Sequence, residues 1–134
     1  MLRSSNRLRI LLLGSNEEPM ILLRETLAKH AHVTAAWNIG ELFGLLELGP
    51  YDVFLCDWEY QRLTWREICR EVQQIDPNLP IIVFCRLGGE CEWVEVLEAG
   101  CFDLACAPYS DRKVLSIIEH AVASQEARAL RSVA

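Results

Sequence analysis

No C-x-x-C pair occurs among the six cysteines, at positions 56, 69, 85, 91, 101 and 106, and none of the three histidines stands at a zinc-finger spacing from them. A structural zinc site is thereby removed as an organising element. Long apolar runs are also missing. Those present are strand-sized, far short of a membrane span, and the arginines of Met1–Arg9 precede no apolar stretch of signal-peptide length. The chain is therefore expected to be cytoplasmic and to make no membrane contact. Basic runs are scarce as well: 13 Lys and Arg stand against 19 Asp and Glu, giving a net charge of −6. Such a surface repels a phosphate backbone, so nucleic-acid binding by this domain is not expected. No acid–base or nucleophile–base pair is legible, which argues against an enzyme. Internal repeats and low-complexity tracts are absent.

What is present is an alternation. At 134 residues and 51% hydrophobic content, the chain suits one domain with a substantial core. The run Val53-Phe54-Leu55-Cys56 ends on Asp57, and a run without polar alternation reads as a parallel strand covered on both faces. Arg9–Leu13 is a second such run, stopped by Gly14-Ser15-Asn16. From Glu17-Glu18-Pro19 a helix follows, its acids and proline suited to the first turn, and His30-Ala31-His32 closes it. Val33–Trp37 is the expected second strand. Asn38 and Glu41 form a capping-box signature before a helix whose apolar side is Leu42, Leu45, Leu46 and Leu48, ended by Gly49-Pro50. Thr64 and Glu67 repeat that signature before a helix reaching about Ile75.

Ile81–Cys85 reads as the fourth strand. Glu90–Ala99 is expected to be helical, with Val94 and Leu97 on one side and Gly100 in the C′ place. Phe102–Cys106 is the fifth strand, and Ser110 caps a last helix buried through Val114, Leu115, Ile117, Ile118 and Val122, with a weaker pattern continuing to Leu130. The cysteines in apolar strands, Cys56 and Cys85, read as buried reduced thiols rather than as a disulfide framework. His30, His32 and His120 read as surface residues. Five strands alternating with five helices favour a doubly wound α/β domain with a parallel sheet, and Asp57 falls at the carboxyl edge where such sheets place their sites.

These segments, with Glu98-Ala99-Gly100-Cys101-Phe102-Asp103 followed by Pro108, resemble the receiver domains of bacterial two-component response regulators, from about Arg9 to Ser124. Residues 1–8 then form an N-terminal extension and 125–134 a helical C-terminal extension or linker. The resemblance implies a flavodoxin-like (βα)5 fold with strand order 2-1-3-4-5. It also implies phosphoryl transfer to an aspartate. An acid pair after the first strand holds Mg²⁺, the aspartate ending the third strand is the acceptor, and a hydroxyl after the fourth and a lysine after the fifth contact the phosphoryl oxygens.

Matched place by place, Asp57 keeps the acceptor position. Gly14 and Ser15 hold the acid-pair places, with Asn16 and Glu17 next; Cys85 replaces the hydroxyl, Ala107 the lysine before Pro108, and Leu104 the switch aromatic. The chain thus resembles a degenerate receiver, or pseudo-receiver. Phosphoryl charge at Asp57 would lack its counter-charges, so Mg²⁺ binding is expected to be weak or absent. Arg86 and Arg62 are candidate substitute cations, and Glu17 and Glu59 candidate carboxylates. The Ala107–Pro108 bond is expected to be cis by the same resemblance. The implied function is a signalling module of a phosphorelay system acting by protein contact, with a histidine kinase or an output domain as candidate partners. A second reading is a phosphorylation-independent sensor that binds a small ligand or responds through Cys85. Trp58 and Trp65 flank the acceptor loop. Trp93, Arg112 and Lys113 mark an expected interaction surface, formed by the fourth helix, fifth strand and fifth helix and suited to a homodimer.

Overall fold

A computed structural model describes residues 8–14, 18–57, 65–85, 93–106 and 110–133. The described elements alternate: β1 (Leu8–Leu13), α1 (Glu18–Ala28), β2 (Ala31–Ala36), α2 (Ile39–Leu48), β3 (Val53–Asp57), α3 (Trp65–Ile75), β4 (Ile81–Cys85), α4 (Trp93–Glu98), β5 (Asp103–Cys106) and α5 (Asp111–Val133). All strand pairings are parallel, and the sheet runs β2-β1-β3-β4-β5. This is the flavodoxin-like (βα)5 arrangement expected from the sequence.

The unbroken apolar runs become the central strands because both of their faces are covered. Alternate residues feed two cores. Phe54, Cys56, Ile81 and Val83 join α2, α3 and α4 on one side, while Val53, Leu55, Ile82 and Phe84 join α1 and α5 on the other. Each helix contributes a stripe. On α3 it is Trp65, Ile68, Cys69 and Val72, the i, i+3, i+4, i+7 spacing of one helical face.

The helix ends follow from their sequences. The Asn38 side chain accepts a hydrogen bond from the Glu41 amide at 2.8 Å. Glu41 returns the contact one residue earlier than a capping box requires, accepting from the Trp37 amide at 2.7 Å. Ser110 Oγ accepts from the Lys113 amide at the start of α5. At the end of α4, Gly100 adopts φ +93°, its amide donates to the Leu97 carbonyl, and the Cys101 amide donates to Val96. These two bonds are the paired closure of a Schellman motif.

Several expectations need correcting. The second strand is Ala31–Ala36 rather than Val33–Trp37: α1 stops at Ala28, and a two-residue turn frees buried Ala31 to pair with Leu8. The same pairing brings Leu8 into β1. The fifth strand begins at Asp103, with Phe102 left as a bend. Leu48 is 73% exposed, since it lies past the Leu42/Leu46 stripe that meets the sheet. Val94 is 58% exposed and Leu97 also faces outward, while Val96 is the buried residue of α4. The Schellman closure sets that phase, because it places Val96 and Cys101 together in the core. Trp65, the first residue of α3, is buried as a packing residue, in line with the default reading of the tryptophans. The Thr64 cap, the start of the fourth helix before Trp93 and the Ala107–Pro108 bond lie outside the described residues.

Candidate functional site

The carboxyl ends of β1, β3 and β4 meet at one edge of the sheet. Leu13 pairs with Cys56, and Asp57 pairs with Phe84. Gly14, the next residue on β1, therefore comes level with Asp57, and Cys85 lies one step beyond it on β4. The topology thus brings Gly14, Asp57 and Cys85 to one end, as the sequence order required. Ser15, Asn16, Glu17, Trp58, Glu59, Arg62, Arg86 and Ala107 lie outside the described residues.

Asp57 is 1% exposed, the one buried charged residue among those described. It is held by interactions of its own, although its Oδ2 accepts no hydrogen bond from a described residue. Its backbone carbonyl accepts from the Cys56 thiol at 3.6 Å.

Beside it, Gly14 is buried under α1. A β-carbon at Gly14 would lie 3.0 Å from Cε of Met20, and Met20 is itself buried. A side chain at this position would have to shift that thioether methyl by a few tenths of an ångström. Magnesium demands several oxygen ligands in a near-octahedral shell. Gly14 offers no side-chain oxygen and Met20 offers a soft sulfur, so these residues do not fit the ion. No group of three His, Cys, Asp or Glu side chains suited to a metal occurs among the described residues.

Cys85 is disulfide-bonded, which corrects its reading as a reduced thiol. The other cysteines with described side chains, Cys56, Cys69 and Cys101, are free and buried. Sequence reasoning found neither Met20 nor the contact between Cys69 and Cys101, whose sulfurs lie 3.5 Å apart. Met20 carries only the ordinary signal of an apolar residue in a first helical turn, and the cysteine contact depends on tertiary packing. A cavity of ≈ 160 Å³, lined by Tyr51, Asp52, Asp76, Asn78, Gln125 and Glu126 among others, lies at the amino ends of β3 and β4. It is at the opposite edge of the sheet from Asp57.

On the expected interaction surface, Arg112 and Lys113 are exposed at the first turn of α5. The side chain of Trp93 is outside those described. Glu95 on α4 pairs with Arg66 of α3 at 3.3 Å, both half-exposed. Leu104 is partly buried and packs against the α2–α4 core. His30, His32 and His120 are exposed, as expected. No described helix is long and apolar enough to cross a membrane.

No protein-family model matches the chain, and no curated protein does. Among solved structures it is similar to a response regulator receiver domain protein (CheY-like) from Methanospirillum hungatei JF-1, with TM-score 0.77, 20% identity, and coverage of 92% of this chain and 99% of that one. It is also similar to a response regulator receiver domain protein from Clostridium thermocellum, with TM-score 0.78, 19% identity, and coverage of 89% and 97%. A structure described as adenylate cyclase from Rhodopirellula baltica aligns with TM-score 0.81 at 17% identity, covering 95% of each chain. The chain has the receiver fold.

Proposed function

We propose that the chain is a receiver-like signalling module that acts by protein–protein contact and has lost the phosphoryl switch. One observation carries this reading: the acid-pair place beside Asp57 is a buried glycine with the Met20 methyl packed over it. Asp57 remains the phosphoacceptor candidate by position, but nothing described beside it offers magnesium an oxygen shell. Catalysis of turnover has no support from the residues, so the module is read as non-enzymatic. Its partners are proteins: a histidine kinase, an output domain or a second copy of itself.

The face of α4, β5 and α5 is the proposed contact. Val94 and Leu97 expose apolar surface on α4, and Arg112 and Lys113 add positive charge at the start of α5. A two-fold interface there would be self-complementary. Glu95 contributes less than its charge suggests, because Arg66 already shares it, and exposed pairs of this kind are worth at most about 1 kcal/mol. Sedimentation at micromolar concentration tests the reading. The expected result is a dimer indifferent to acetyl phosphate and weakened by Arg112→Glu with Lys113→Glu. A monomer at every concentration, or a dimer insensitive to the charge reversal, removes this face.

A second reading, response through Cys85, is favoured by the disulfide at that residue. It expects reductant to change the association state or the thermal midpoint, and Cys85→Ser to abolish that change.

A further inference from the structure

We propose that Cys69 and Cys101 form an oxidisable dithiol, a modification site whose disulfide ties α3 to the turn entering β5. The sulfurs lie 3.5 Å apart, against a covalent S–S length of about 2.05 Å. About 1.5 Å of approach separates the two states, within reach of side-chain rotation.

The surrounding contacts hold the two segments in register. On α3, Arg66, Cys69 and Gln73 occupy one stripe at i, i+3 and i+7. Arg66 pairs with Glu95, Cys69 meets Cys101, and Gln73 Nε2 donates to the Ala99 carbonyl at 3.3 Å. The Schellman closure fixes Cys101 against Val96 from the other side. Three successive contacts therefore join α3 to the end of α4, and the thiol pair is the buried one.

The chemistry balances with a peroxide as oxidant. The Cys101 sulfur attacks one peroxide oxygen, the O–O bond breaks, and water leaves with the thiol proton. The sulfenic acid on Cys101 is then attacked by the Cys69 sulfur. The S–S bond forms, the S–O bond breaks, and a second water leaves with the Cys69 proton. Two thiols and one peroxide give one disulfide and two waters, with two electrons passing from sulfur to oxygen. Burial gates the first step: Cys69 is 1% exposed and Cys101 6%. The hydrogen bond to Cys69 and then burial hold the Cys101 thiol well above the usual thiol range. Reaction therefore awaits local opening of the turn, which makes the site responsive to sustained rather than brief oxidant.

The proposal is independent of the contact function assigned above and of the existing Cys85 disulfide. The test is hydrogen peroxide titration of the fully reduced chain, followed by non-reducing peptide mapping, which assigns each linkage separately. The same oxidation in concentrated urea serves as reference. In the folded chain, Cys69–Cys101 is expected to be the dominant linkage among Cys56, Cys69 and Cys101, and to raise the thermal midpoint by about 5–15 °C. In urea that preference should vanish. Free Cys69 and Cys101 after exhaustive oxidation of the folded chain, or preferential Cys56–Cys69 linkage, would overturn it.

Discussion

Met20 is buried against Gly14, on the strand end level with Asp57. Its methyl stands 3.0 Å from where a Gly14 side chain would begin, closer than ordinary packing allows, so an acid placed there displaces it. Restoring the receiver residues as Gly14→Asp, Ser15→Asp and Ala107→Lys is expected to raise Mg²⁺ affinity little until Met20→Ala is added. Tryptophan fluorescence titration with Mg²⁺ compares the two variants. Met20→Ala alone should cost about 2–5 kcal/mol as a buried large-to-small change, read from urea denaturation. Equal affinity with and without Met20→Ala would dismiss the obstruction.

The same scale carries a pH dependence. The hydrogen bond with Cys101 lowers the Cys69 thiol, but the neighbouring Cys56 thiol, which also hydrogen-bonds with Cys69, and burial outweigh it, and both Cys69 and Cys101 end well above their ordinary value of 9.0. The folded chain then keeps protons that the unfolded chain releases. Stability from these groups is complete below about pH 9 and falls as pH rises further. Urea midpoints at about pH 8 and pH 10 should show a smaller drop for Cys69→Ala with Cys101→Ala than for the unaltered chain. An equal drop would mean other groups govern alkaline unfolding.

At the scale of elements, the glycine that ends α4 is the most exacting residue. Gly100 sits at φ +93°, and a β-carbon there would stand 2.7 Å from Gln73 Nε2. Gly100→Ala combines left-handed strain with displacement of the Gln73 bond to Ala99. A loss of about 1–2 kcal/mol is expected, measured by urea denaturation. An unchanged midpoint would show that the turn re-forms without the motif. This element also shows where sequence reading succeeds and stops. Gly100 was legible as a C′ residue because only a few residues tolerate that backbone. The phase of α4 was not, because Val94, Val96 and Leu97 are equally apolar and the closure around Gly100 chooses between them. The unbroken runs of β1, β3 and β4 were legible because burial on both faces leaves no polar alternation. β2 begins two residues and ends one residue earlier than its apolar pattern suggests, because Ala31–Ala36 is weakly apolar and its register is set by pairing with β1. At the site, Asp57 was legible by position. Met20 over Gly14 and Cys69 against Cys101 were not, since each joins residues whose separation closes only in three dimensions.

For the whole molecule, the parallel sheet in order β2-β1-β3-β4-β5 delivers Gly14, Asp57 and Cys85 to one edge, as a phosphorylated receiver would require. At that edge stand a buried aspartate, a glycine in close contact with the Met20 methyl and a disulfide-bonded cysteine. The central claim is that the architecture survives while the phosphoryl switch does not. Its most direct test is intact mass of the full chain after incubation with acetyl phosphate and millimolar Mg²⁺. The account predicts no stable phosphoryl adduct. A stoichiometric gain of one phosphoryl group, absent from Asp57→Asn, would contradict it.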